Sequence, residues 1–197
     1  MKNNSFRRVI ESTLVPHTAF ADASARLRQC FEYADESPEP ICFAIVGESR
    51  TGKSRILEEF EREHRPSRTE AGLIVPIVRV SAPSKPSAKS LCEILLRKLG
   101  DPKWDTGTEN RKTARLEKLL KDCHCQMLMI DEFQHFFDKA THKVFHHVAD
   151  WLKVLADNTR IALVVTGLES CLPVLLRSEQ LSGRFLAPAF MHFALFL

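Results

Sequence analysis

The sequence predicts an α/β fold with a parallel sheet covered by helices on both faces, and three observations carry that prediction. Apolar runs of strand length alternate with longer segments whose apolar residues recur every three or four positions. The first run, "ICFAIV" (41–46), passes directly into "GESRTGKS" (47–54), where two glycines five residues apart precede a lysine and a serine. A later run, "MLMI", ends on two consecutive carboxylates, Asp131 and Glu132.

In chain order, "AFADASARLRQCFEYA" (19–34) has apolar residues at helical spacing, and "DESPEP" (35–40) is a polar, proline-bearing connection into the strand at 41–46. "SRILEEFEREH" (54–64) follows as a helix. "GLIVPIVRVSAP" (72–83) reads as the second strand, and 87–100 as a helix with a serine at its start and a glycine at its end, as caps prefer. "DPKWDTGTEN" (101–110) is a loop, 111–123 a helix and "QMLMIDEF" (126–133) a third, largely buried strand. A helix over 141–157 leads to the fourth strand, "RIALVVTG" (160–167). Residues 169–185 suggest a short helix and a turn, and 186–197 a fifth strand. Strands separated by helices imply a parallel sheet, whose faces must both be covered.

The totals are consistent with this picture. A chain of 197 residues is one domain by size. The net charge of +3 permits a nucleic-acid or acidic partner without requiring one. No apolar stretch approaches the 18 residues of a membrane span, so no membrane association is expected. Six cysteines lie scattered and the N-terminus lacks the apolar core of a signal peptide, which points to free thiols in a reducing cytoplasm. The apolar ending is unusual for a terminus, and it raises the expectation of a truncated or frameshifted chain.

The spacing from Gly47 through Gly52, Lys53 and Ser54 satisfies GxxxxGK[ST], the phosphate-binding loop of P-loop NTPases. In such a loop the backbone of Glu48, Ser49, Arg50 and Thr51 curls around phosphate oxygens, Lys53 reaches the β- and γ-phosphates, and Ser54 holds Mg²⁺. The helix that follows, through Arg55, turns its amide end and dipole toward the phosphates. The expected ligand is ATP or another nucleoside triphosphate. Asp131 would bind Mg²⁺ through water and Glu132 would polarise the attacking water, which argues for hydrolysis rather than binding alone. Thr166 closes the fourth strand, where a side chain can reach the γ-phosphate or the water. Arg184 and Arg177 follow that strand; either could neutralise transition-state charge in a neighbouring subunit, or lie on the surface.

Other clusters are less specific. His135, His142, His146, His147 and "CHC" (123–125) lack the acidic companion of a helical zinc motif and read as solvated or core residues. Lys103, Trp104, Arg111, Lys112 and Arg115 make a basic stretch that either touches a phosphate backbone or is simply solvated. "VPHTAF" (15–20) is positioned to line an adenine pocket.

"PHTAFADASARLRQCF", "VGESRTGKSRILEEF", "LMIDEFQH", "VVTGLES" and "QLSGRF" occur in an order that resembles the TniB/TnsC transposition ATPases of the AAA+ class, from about residue 16 to 185. The resemblance implies an AAA+ three-layer fold with five parallel strands in the order 5-1-4-3-2. Residues 1–40 would then be an N-terminal segment and helix packed on the nucleotide site, and 41–197 the ATPase domain. It implies ATP-dependent homo-oligomer assembly, as ring or filament, on double-stranded DNA, and a link between a target-selector protein and a DDE transposase. Gly47, Gly52, Lys53 and Ser54 match Walker A, Asp131 and Glu132 Walker B, Thr166 sensor 1, and Arg184 the trans-acting arginine finger. Such ATPases continue into a helical extension or lid, whereas this sequence stops at Leu197, so a lid is expected to be absent or truncated. A nucleotide-binding remnant without active subunit interfaces and another DNA-associated AAA+ ATPase, such as a helicase loader, are the alternative expectations.

Overall fold

The computed structural model of the protein describes residues 18–34, 39–70, 72–138, 142–177, 185 and 188–191. In chain order the elements are α1 (Thr18–Ala34), β1 (Cys42–Gly47), α2 (Lys53–Glu63), β2 (Ser67–Thr69), β3 (Gly72–Ile74), β4 (Ile77–Ser81), α3 (Ala88–Lys98) and α4 (Glu109–Asp122). They continue with β5 (Met127–Asp131), α5 (His135–Asp138), α6 (His142–Thr159), β6 (Ala162–Gly167), a 3₁₀ turn (Glu169–Cys171), α7 (Leu172–Arg177) and β7 (Ala189–Met191).

One sheet runs β4-β5-β6-β1-β7, and each neighbouring pair in it is parallel. With its strands counted in chain order, the sheet reads 5-1-4-3-2. β1, β5 and β6 are buried at every position, which is why they appear in the sequence as unbroken apolar runs. Successive strand side chains point to opposite faces, so each run divides between two cores. Ala44, Val46, Val80, Ile130 and Val165 join the core beneath α3, α4 and α6, while Phe43, Ile45, Met129 and Val164 join the one beneath α1 and α2. Each fully buried aliphatic or aromatic side chain contributes about 1.5–3 kcal/mol. The spacing of Phe20, Ala23, Leu27 and Cys30 puts one face of α1 against that second core.

Two expectations need correction. The single strand over 72–83 is two: β3 pairs antiparallel with β2 in a small hairpin, and β4 pairs with β5 in the main sheet. Pro76 separates them. It has no N–H for a ladder, and its carbonyl instead accepts the amides of Gln126 (2.9 Å) and Met127 (3.1 Å), which sets the register of β4 against β5. Helix α4 begins inside the expected loop, at Glu109, with the Thr108 hydroxyl accepting the Arg111 amide at 3.4 Å. At α3, Ser87 and Ser90 form a reciprocal capping box with both contacts at 3.0 Å.

The basic stretch divides: Lys103 and Arg111 are exposed, as a solvated stretch predicts, whereas Lys112 and Arg115 are taken up by the protein itself. The Lys112 side chain is fully buried, and its ammonium donates to Glu93 Oε1 and to the Asp105 carbonyl (2.7 Å). Arg115 donates to Asp101 Oδ2 (2.9 Å) and to the carbonyls of Lys103 (2.6 Å) and Thr106 (3.2 Å). Desolvation acts to raise the Asp101 carboxyl, but the Lys103 amide and Arg115 outweigh it and hold the group below the usual carboxylate range. Trp104 packs against the core and carries the Arg97 guanidinium 5.6 Å from its ring centre.

All six cysteines are buried and outside any disulfide, and burial pushes Cys30, Cys92 and Cys125 up to about 12. No helix among the described residues is long and apolar enough to cross a membrane.

Two predictions follow from this packing. Glu93→Leu should lower the unfolding free energy by about 3–5 kcal/mol in urea denaturation, because it strands the buried Lys112 cation, and adding Lys112→Met should recover most of the loss. A thiol-reactive disulfide reagent should label the native chain no faster than it unfolds; rapid labelling of even one thiol would contradict the burial described.

Candidate active site

The cleft lies at the carboxyl ends of β1, β5 and β6, the edge where parallel sheets collect ligand-binding groups. β1 ends at Gly47 and α2 starts at Lys53, so residues 48–52 must turn the chain within five positions. Gly52 takes φ 94° and ψ 6° as the N-cap of α2, a conformation that a side chain would strain. It provides no side-chain cap, so the first-turn amides of α2 have no capping acceptor there and their partial positive charge faces the loop.

Internal hydrogen bonds hold the loop. Thr51 Oγ1 donates to the Glu48 carbonyl at 2.8 Å. Lys53 Nζ donates to the carbonyls of Gly47 (2.9 Å) and Glu48, and Thr51 Oγ1 lies 3.4 Å away. The lysine is 8% exposed. Burial lowers its pKa below the ordinary lysine value, while the charges of Glu132 and Asp131 oppose that shift. Lys53 and Glu132 border the same cleft.

Asp131 closes β5 and is 5% exposed. Its Oδ1 accepts the hydroxyl of the fully buried Thr166 and, at 2.9 Å, the Glu132 amide. The Phe133 amide returns to the Thr166 carbonyl at 2.8 Å, which binds the exit of β5 to the end of β6 by backbone as well as side chain. Glu132 has the left-handed φ of 57°. Gln134 Nε2 donates to its Oε2.

Ser49, Arg50, Gly52, Lys53, Ser54, Arg55, Glu132, Gln134 and Leu168 border a cleft of about 490 Å³. The structure thus brings together most of the residues expected from the sequence. Gly47 and Glu48 contribute carbonyls to Lys53, Thr51 braces the loop, and Asp131 and Thr166 form the buried layer beneath Glu132. Arg55 spends its charge along its own helix, on Glu59 (2.6 Å) and Glu58 (3.6 Å). Arg184 and residues 15–17 of the expected adenine lining lie outside the described residues, and Arg177 closes α7. His147 bonds Glu109 at 2.9 Å on the outside of α6. A larger cleft, about 800 Å³, sits at the amino ends of β4 and β5 among Ile74, Pro76, His124 and Arg160 and shares no residue with the loop.

Two contributors had no role assigned to them from the sequence. Gln134 lies within the "LMIDEFQH" stretch that carries the resemblance, but no role was read for it there. Gly167 looks like an ordinary glycine after a strand, yet a Cβ there would lie 2.8 Å from Cys171 Sγ and 3.0 Å from Gln134 Oε1.

The donor set suits a phosphate ligand with Mg²⁺. Among the described residues no group of three or more His, Cys, Asp or Glu side chains could hold a metal alone. Mg²⁺ does not need one, since it takes one or two protein oxygens, keeps waters and shares phosphate oxygens. Ser54 borders the cleft, and Asp131 lies beneath Glu132.

The family described as "Bacterial TniB protein" matches residues 6–194. No curated protein matches in sequence. Among solved structures, the Aeropyrum pernix ORC1 protein in complex with DNA has a TM-score of 0.68 at 16% identity, covering 91% of this chain and 46% of its own. The Aeropyrum pernix ORC2 protein, in ADPNP-ADP complexes, also has a TM-score of 0.68 at 16% identity, covering 94% and 51%. CDC6p from Pyrobaculum aerophilum has a TM-score of 0.60 at 15% identity, covering 90% and 47%. The chain spans about half the length of these proteins. At such identities they show the fold, an α/β P-loop ATPase fold of the AAA+ kind. By the match over nearly its whole length, the chain belongs to the bacterial TniB family.

Proposed function

We propose that this protein binds ATP with Mg²⁺ and hydrolyses it as a regulator of DNA transposition, assembling as a homo-oligomer on double-stranded DNA and linking a target selector to a DDE transposase. The observation that carries the ATPase reading is the meeting of Lys53, Asp131, Glu132 and Thr166 at one edge of the sheet. Family membership supports the transposition setting, and the DNA-bound ORC1 and the nucleotide-bound ORC2 support the choice of ligands.

In this reading the loop amides and the amino end of α2 bind the phosphates, and Lys53 exchanges the Gly47 and Glu48 carbonyls for β- and γ-phosphate oxygens. Ser54 and Asp131 hold the Mg²⁺, which when bound neutralises charge on those oxygens. Thr166 keeps Asp131 in place. Glu132 orients the attacking water and accepts its proton, a role worth about 10²–10⁴ in rate. Arg184, contributed by a neighbouring subunit, would stabilise the transition state and so make hydrolysis depend on assembly.

The deciding experiment is sedimentation with duplex DNA, with and without a slowly hydrolysed ATP analogue. DNA-bound assemblies should form with nucleotide and fail to form with Lys53→Ala; a wild-type chain that stays monomeric and ignores DNA would refute the assembly reading. In steady-state phosphate release, Glu132→Gln should lower turnover about 10²- to 10⁴-fold while nucleotide affinity stays near that of the wild type.

A further inference from the structure

The turn that follows β5 contains a cost that folding alone does not explain. Gln134 Oε1 and His135 Nδ1 are the buried side-chain polar atoms without a partner among the described residues; they belong to consecutive residues, which start two positions beyond the left-handed Glu132. Native proteins leave few such atoms, so two in one turn call for a reason. Gln134 is 8% exposed, and an apolar side chain of the same shape would fill that space without an unsatisfied oxygen.

The orientation of the amide is fixed by its neighbours. An ionised Glu132 can only accept, so the carboxylate must meet Nε2, and this turns Oε1 toward the end of β6. There is room for the oxygen because residue 167 is glycine: a Cβ would stand 3.0 Å from it. The amide therefore holds Glu132 by its nitrogen and only abuts the β6 terminus, which also supplies Thr166, with its oxygen, at the rim of the cleft.

We propose that Gln134 is a positioning residue for hydrolysis, holding the Glu132 carboxylate in the orientation from which it polarises water. The inference rests on the ATPase reading of this site. It assigns the unsatisfied oxygen to function: the side chain is an amide because Glu132 needs a donor, and its far end bears the consequence. Gln134 acts through Glu132 and touches no reacting atom.

The test uses the full chain as wild type, Glu132→Gln, Gln134→Met and the double variant, with phosphate release measured against ATP concentration, affinity for a fluorescent ATP analogue and thermal unfolding. Gln134→Met should lower kcat about 10- to 100-fold, leave nucleotide affinity and KM within twofold, and unfold at the same or a higher temperature. Added to Glu132→Gln, it should cause no further loss. Gln134→Asn, whose amide is withdrawn by one methylene, should lose kcat likewise and serves should the Met variant fold poorly. A Gln134→Met enzyme with wild-type kcat beside an inactive Glu132→Gln overturns the inference and leaves the ATPase reading intact. Parallel losses of kcat, affinity and unfolding temperature in both Gln134 variants also overturn it, since packing would then be the whole role. Normal turnover by Glu132→Gln removes the ATPase reading and this inference with it.

Discussion

The hydrogen bond from Thr166 to Asp131 is the constraint on which the cleft depends. A carboxylate that is 5% exposed requires donors, since desolvating it without them is far more costly than a typical hydrogen bond is stabilising. The fold supplies two, the Thr166 hydroxyl from β6 and the amide of Glu132. Satisfying Asp131 with the very next amide forces the chain to turn sharply as it leaves β5, and Glu132 accordingly takes φ 57°. The next amide, from Phe133, returns to the Thr166 carbonyl, so the position of Glu132 in the cleft follows from the register of β5 against β6. Lys53, on the neighbouring β1 side, feels both carboxylates and completes the arrangement.

The parts of this arrangement that were legible in the sequence are those whose chemistry is local. The glycines, lysine and serine of 47–54 are a backbone device written in consecutive residues, and the buried strands announce themselves because both faces of each are covered. Asp131 and Thr166 could be placed at strand ends for the same reason, although the bond between them spans 35 residues and has no local trace. The break at Pro76 was legible in principle, since a residue without N–H interrupts a ladder, but the apolar residues on both sides masked it. Gln134 and Gly167 stood inside quoted motifs without a readable role, because the spatial contact between them crosses from the turn after β5 to the end of β6.

Charge illustrates the same limit. Lys112 sits in a polar stretch and reads as solvated, but its partner Glu93 lies on α3, 19 residues away. Arg115 is taken up by Asp101 and two carbonyls, Arg79 and Lys98 converge on Glu61, and His147 meets Glu109. The more exposed of these, Lys98–Glu61 and His147–Glu109, are individually worth about 0–1 kcal/mol, so their larger effect is on what the surface offers a polyanion. A net charge of +3 describes the sum and says little about where free cations gather. Within the 101–115 cluster Lys112 and Arg115 are already engaged by the protein itself, which leaves the exposed Lys103 and Arg111 as the cations it offers a polyanion.

Backbone conformation separates the two ends of the sheet. Four non-glycine residues among those described have left-handed φ: Arg50, His124, Glu132 and Arg160. His124 follows the last residue of α4 and its cap, with the Cys125 amide returning to the Leu120 carbonyl at 2.9 Å; Arg160 follows α6, with its amide on the Ala156 carbonyl at 2.7 Å. Both are helix terminations, and the left-handed residue is how a helix commonly ends. They line the larger cleft, whose shape is thereby accounted for by chain reversal. Arg50 and Glu132 terminate no helix. One lies in the phosphate loop and the other beside Asp131, both on the smaller cleft, and their strain is retained where the surrounding bonds over-determine it. Size favours the first cleft, but strain outside any helix end, a buried carboxylate and an unsatisfied amide oxygen all favour the second, and these are the properties that chemistry requires.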